Sequence, residues 1–133
     1  MTDRASFQSF AGAALRIVAG ALFAYHGATR ILGFLATGPQ PSIGSQPWFG
    51  GLFQLAIGAL VAIGLFTRPS AAAGAATMAF AYIQLHWRIV TATWAFLPTV
   101  HGSELAALYA VIFLVFAVSG PGGFSLDRGR GRG

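Results

Sequence analysis

The chain has 133 residues, of which 56% are hydrophobic and 8% charged, with a formal net charge of +5 and a mean hydropathy of +0.69. A soluble domain carries about a quarter charged residues, so this chain has too little polar surface to wrap a water-soluble globule. There is no cysteine, which excludes disulfide, thiol-redox and thiolate-metal chemistry from its own side chains.

Four apolar stretches, 11–35, 48–66, 70–87 and 103–119, take up most of the length. Crossing the hydrocarbon layer takes about 20 mainly apolar residues in a helix, and four such helices with short connections nearly exhaust the chain. Segments such as Leu52–Leu65 and Leu105–Val118 are apolar on every face, against the strict alternation of a transmembrane barrel. The predicted fold is therefore all-α, an integral membrane four-helix bundle with antiparallel up-down-up-down topology. The first stretch follows Arg4 as a signal peptide would, but it runs on past Ala24 to Leu35, too long for such a leader.

Punctuation residues set the boundaries. Residues 1–10 form a cytoplasmic N-terminus, 11–119 the transmembrane domain, and 120–133 a cytoplasmic turn and basic tail. Thr37–Pro47 holds three prolines and two glycines and reads as a loop between helices one and two. Thr67-Arg68-Pro69-Ser70 is a tight turn with proline placed to open helix three. The run Thr91–Gly102 links helices three and four, Gly120–Asp127 ends the last helix, and Arg128–Gly133 reads as a disordered tail.

All eight basic residues are arginines. With an even number of spans, Arg4, Arg68, Arg128, Arg130 and Arg132 share one side, against Arg30 and Arg88 on the other, and this bias puts both termini in the cytoplasm of a cell-membrane protein. The terminal arginines attract anionic lipid. Beside a membrane anchor, they do not argue for nucleic acid as a partner.

Arg16, His26 and Arg30 fall within roughly an 80° arc of the first helix, with Gly12, Gly20 and Gly27 on or beside the stripe. Intramembrane charges face the bundle interior and small residues permit close helix approach, so this stripe is the expected inward face. In the outer half, helix two contributes Gln54, helix three Gln84, His86 and Arg88, and helix four Glu104, with His101 just outside. His26, Arg30, Gln54, His86 and Glu104 are thus the candidate ligand-binding residues, supplied by four helices. Tyr25, Trp48, Tyr82, Trp87 and Trp94 share that depth and also suit an interfacial aromatic belt.

Each candidate has a structural reading beside the functional one. Ser103-Glu104 suits a helix N-terminus, Arg30 and Arg88 suit snorkelling, either histidine suits a hydrogen-bonded structural role, and Gln54 suits interhelical bonding. Arg16 lies about two turns inside its helix, where it needs a counter-ion. Asp127, folded back by the Gly-Pro-Gly-Gly turn, is the expected partner in a structural ion pair. The sequence offers no metal-ligand motif, nucleotide loop or haem-attachment motif.

Leu15-Arg16, Tyr25-His26-Gly27 with Arg30, Gly64-Leu-Phe-Thr-Arg68, Gly102-Ser-Glu-Leu-Ala-Ala-Leu-Tyr109 and Gly120-Pro-Gly-Gly-Phe-Ser-Leu-Asp127, in that order and spacing, resemble the DoxX family of small membrane proteins over about residues 13–127. The resemblance implies a four-helix protein of the cytoplasmic membrane. It also implies a link to quinone-dependent oxidoreductase complexes, or to membrane assemblies handling thiol or superoxide stress. Three functions remain open on the sequence. One is a redox-complex subunit holding a quinone, with His26 or His86 bonding a carbonyl, Arg30 stabilising negative charge and Glu104 exchanging protons. The others are a non-catalytic anchor or assembly partner for other subunits, and a small-molecule binding or transport protein. The Ala- and Gly-rich run Ala71–Ala76 suits close contact within the bundle or between copies.

Overall fold

The computed structural model describes residues 2–93 and 104–131, with side chains described for 3–84 and 104–131. The chain is helical, in the order α1 (Thr2–Leu32), α2 (Gln46–Ile63), α3 (Thr67–Thr93), α4 (Glu104–Ser119) and α5 (Leu126–Gly129). Among the described residues, two helices, over Asp3–Leu32 and Gln46–Ile63, are long and apolar enough to cross a membrane, and Glu104–Ser119 is a shorter apolar helix.

Helix α1 begins well before the apolar stretch at residue 11, because Ala, Arg and Gln support a helix whether or not they are apolar. Asp3 in its first turn and Arg30 in its last both complement the helix dipole. Helix α2 starts where Ser45 Oγ accepts the Trp48 N–H at 3.4 Å, with Pro47 just inside the helix. It stops at Gly64, whose φ of 71° places it in the left-handed region that glycine adopts without steric cost. A side chain at Gly64 is also barred by space, since a Cβ there would lie 2.5 Å from Ser125 Cβ and 2.9 Å from Arg16 Nη1.

Other boundaries differ from the sequence expectation too, among them the end of α3, which runs to Thr93. The turn between α2 and α3 is Gly64–Phe66, and α3 already begins at Thr67, because an acid from elsewhere in the chain supplies its N-terminal acceptors, as described below. Arg128 belongs to α5, which Ser125 caps by accepting the Arg128 N–H at 3.3 Å.

The closest helix pairs are α1 with α2 and α3 with α4, joined through α2 and α3. Glycine makes the first pair possible. A Cβ added at Gly20 would stand 2.5 Å from Ala62 N, one at Gly27 2.5 Å from Gly51 O, and one at Gly58 2.6 Å from Gly20 O. Backbone therefore meets backbone at two levels one heptad apart, the geometry small residues give in lipid. In the second pair the Phe113 ring fills the notch at Gly74, where a Cβ would come within 2.7 Å of Cδ2. Phe23, Ile57, Val61, Ala71, Met78, Phe113 and Phe116 form the core, with Phe23 and Phe113 edge-to-face at 4.8 Å.

The remaining surface is strongly apolar. Phe10, Val18, Phe53, Phe80, Leu108, Val111 and Val118 are all exposed, whereas Arg16, Gln54, Thr67, Ser70 and Asp127 are buried.

Candidate functional site

A cleft of about 1200 Å³ opens among α1, α2, α3 and α4. Helix α1 contributes Phe23, His26 and Arg30 from its last turns, α2 contributes Gln54, and α4 contributes Tyr109. Three of the five candidates, His26, Arg30 and Gln54, thus share one cavity wall. Glu104 is the first residue of α4, exposed and not part of the lining, although the next two residues are. The His86 side chain, with Arg88, Trp87, Trp94, His101 and Ser103, lies outside the described residues.

Gln54 is the buried polar element of this wall, 8% exposed, and its Oε1 has no hydrogen-bond partner. Buried polar atoms in proteins are nearly always paired. The Oε1 acceptor therefore makes no interhelical bond of the kind expected of this glutamine. His26 and Arg30 are exposed to the cleft and its mouth. The His26 ring stands edge-on to Tyr109 at 6.4 Å, and Tyr109 stacks on Phe113 at 5.8 Å and tilts against Phe23 at 5.3 Å. The cleft floor is therefore aromatic and backed by the core.

The rim is polar. Gln46 Nε2 donates to Gln84 Oε1 at 3.2 Å, tying α2 to α3. With its amide oriented to satisfy both ends, Gln40 donates to the carbonyls of Thr29 at 2.7 Å and Arg30 at 3.0 Å, which folds the proline-rich loop over the end of α1. Tyr109 and this loop were not singled out as site elements by the sequence. The signal for Tyr109 is its spacing on α4, a turn before Phe113 and two before Phe116, which puts it on the core-facing stripe.

A second polar constellation occupies the other end. Arg16 is fully buried. Its Nη1 donates to the carbonyls of Pro121 and, at 3.3 Å, Gly123, while Nη2 donates to Phe124 O at 2.7 Å. Asp127 accepts the Phe66 N–H on Oδ1 and the Thr67 N–H on Oδ2, both at 2.7 Å, and its own N–H donates to Gly64 O at 2.9 Å. Arg16 and Asp127, the expected ion pair, attract one another electrostatically and are joined through a relay. Arg16 binds the loop backbone, the loop carries Asp127, and Asp127 caps α3. The physical reason is that both groups have stronger claims close by, three carbonyls converging on one guanidinium and two unsatisfied helix N–H groups facing one carboxylate. Burial pushes the Asp127 carboxyl up, but the N–H bonds from Thr67 and Phe66, helped by Arg130, outweigh it and hold the pKa below the ordinary carboxylate value.

The DoxX family pattern matches residues 11–87, which include α2, most of α1 and the first three-quarters of α3. A Haemophilus influenzae protein described as uncharacterized is 34% identical over 130 residues, covering 96% of each chain. The chain belongs to the DoxX family. No solved structure matches it. In this DoxX protein the family match takes in His26, Arg30 and Gln54 of the cleft and Arg16 of the far end, while Tyr109 and Asp127 lie beyond it. DoxX proteins are membrane-associated, in keeping with the apolar helices seen here.

Proposed function

We propose that this DoxX protein is a four-helix subunit of the cytoplasmic membrane, up-down-up-down with both termini inside, that holds a quinone headgroup in the cleft for a redox complex. The observation that carries the reading is the orphaned Gln54 Oε1 in the wall of a cavity that also presents His26 and Arg30. A ligand that fits must offer polar atoms at its ring edge and an apolar face. The volume of about 1200 Å³ is at or above the upper end of ligand pockets, roughly 300–1000 Å³, which suits a ring together with the first part of a lipid tail. Phe49, Phe53 and Phe80 in the lining give the tail an apolar path, and the exposed apolar surface supports lipid as the surrounding solvent.

A quinone, when bound, supplies a two-electron, two-proton couple. The protein's part is to orient it. Arg30 would hold positive charge near one ring oxygen, His26 would exchange a proton at that edge, and Gln54 would bond a ring oxygen from the buried side, its amide able to turn either its donor or its acceptor to the cleft. Glu104, exposed near the mouth, suits proton exchange with water more than contact with the ring.

The test is purification in mild detergent followed by solvent extraction and chromatography of the extract. Quinone recovered near one equivalent, and lost on His26→Ala or Gln54→Leu with unfolding temperature unchanged, supports the reading. Recovery of a firm protein partner with no quinone favours the anchor role instead.

A further inference from the structure

The end of the molecule opposite the cleft carries a feature that the quinone reading does not use. Phe66 and Phe124 both adopt the left-handed region, with φ of 48° and 50°, which residues with a large side chain rarely enter. Neither ring is buried; Phe66 is 49% and Phe124 78% exposed, and Leu126 beside them is 51% exposed. A strained backbone that turns aromatic rings outward is held there by something. Here the holders are the two buried charges, since Asp127 Oδ1 accepts the Phe66 N–H and Arg16 Nη2 donates to the Phe124 carbonyl, each at 2.7 Å.

The same arrangement sets the local charge. Arg68 follows Thr67, and Arg128 follows Asp127 in sequence. Arg130 is close enough to Asp127 to act on it electrostatically, and the Arg68 guanidinium lies over the α4 exit, with Nε 3.1 Å from where a Gly120 Cβ would stand. The Asp127 carboxylate is buried on backbone N–H groups, while Arg68, Arg128 and Arg130 are exposed. The result is a basic rim interleaved with outward aromatic and aliphatic side chains.

We propose that this end is a docking site for anionic phospholipid, with Phe66, Phe124 and Leu126 entering the acyl boundary and Arg68 and Arg128 binding headgroup phosphate. Charge complementarity selects the occupant. Zwitterionic lipid would satisfy the rings but offers the arginines a phosphate already neutralised by its own cation, and a soluble phosphate would satisfy the arginines but not the rings. The proposal rests on the membrane reading above. Each arginine near an anionic surface contributes roughly fivefold in binding.

The experiment uses the full chain in nanodiscs of phosphatidylcholine with and without phosphatidylglycerol, followed by release and native mass spectrometry of retained lipid. Phosphatidylglycerol is expected to be retained over phosphatidylcholine by roughly tenfold or more, falling about fivefold in Arg68→Gln or Arg128→Gln, and Phe124→Ser is expected to lower retention of both lipids. Those variants leave Arg16 and Asp127 in place; should one fail to fold, the salt dependence of phosphatidylglycerol retention by the unaltered protein reads the same electrostatic contribution. Equal retention of the two lipids after insertion into both discs overturns the proposal, as does displacement of the retained lipid by millimolar inorganic phosphate. Failure to insert into either disc contradicts the membrane reading on which it stands.

Discussion

Replacing Arg16 by leucine removes a fully buried guanidinium that holds the backbone of Pro121, Gly123 and Phe124. Hydrogen bonds to a charged group are worth about 1.5–3 kcal/mol each, but Nε has no partner and one of the three bonds is long, which argues for the lower part of the summed range. Breaking a buried charge away from its partners costs about 3–5 kcal/mol. The two routes overlap at a loss of about 4.5–5 kcal/mol for Arg16→Leu. Arg16→Lys keeps the charge but cannot span three carbonyls with a compact ammonium, so its loss should be about half as large. Asp127→Asn leaves one amide NH2 opposed to a helix N–H and should cost about 1–3 kcal/mol. Because both residues act through one loop, the double variant should lose less than the sum, with a coupling of about 0.5–3 kcal/mol. Equilibrium unfolding in mixed detergent micelles, followed by circular dichroism, measures all four proteins. A loss under about 0.5 kcal/mol for Arg16→Leu, or additive losses in the double variant, would refute the relay.

Acid should weaken the same end. The Asp127 pKa is lower in the folded protein than its ordinary value, so between the two the unfolded chain binds more protons and stability falls as pH falls through that window, while above it stability is level; acid unfolding of the native chain and Asp127→Asn should show this slope in the former only. At the α1–α2 crossing, Gly27→Ala forces a Cβ against backbone and should cost about 1–3 kcal/mol, whereas Gly12→Ala, which has nothing within 4 Å of its Cβ, should be neutral or slightly stabilising; thermal unfolding of the two variants side by side checks both.

How much of this was legible in the sequence depends on what each residue needs. Arg16 announces a partner because a charge inside an apolar run must have one, yet the partners are carbonyls of the 121–124 loop, and backbone carries no residue-type signature. Asp127 was findable as the one acid near a Gly-Pro-Gly-Gly turn, and its capping role was hidden because the helix it caps begins sixty residues earlier. His26, Arg30 and Gln54 follow from helix periodicity and depth, since each lies on a helix whose inward face the small or polar residues mark. Glu104 was placed at the correct helix start, but α4 is apolar all round, so the sequence does not fix which way its first turn faces. Tyr109 was missed as a wall residue because its only signal, the spacing to Phe113 and Phe116, marks a core position as readily as a cavity wall.

The central claim concerns the cleft, and direct binding tests it. Titrating a short-chain quinone into the detergent-purified protein by isothermal calorimetry should give a saturable one-to-one isotherm, weakened about tenfold or more by Gln54→Leu and by His26→Ala and unchanged by Arg128→Gln. A flat isotherm, or binding that Gln54→Leu and His26→Ala leave untouched, would contradict it.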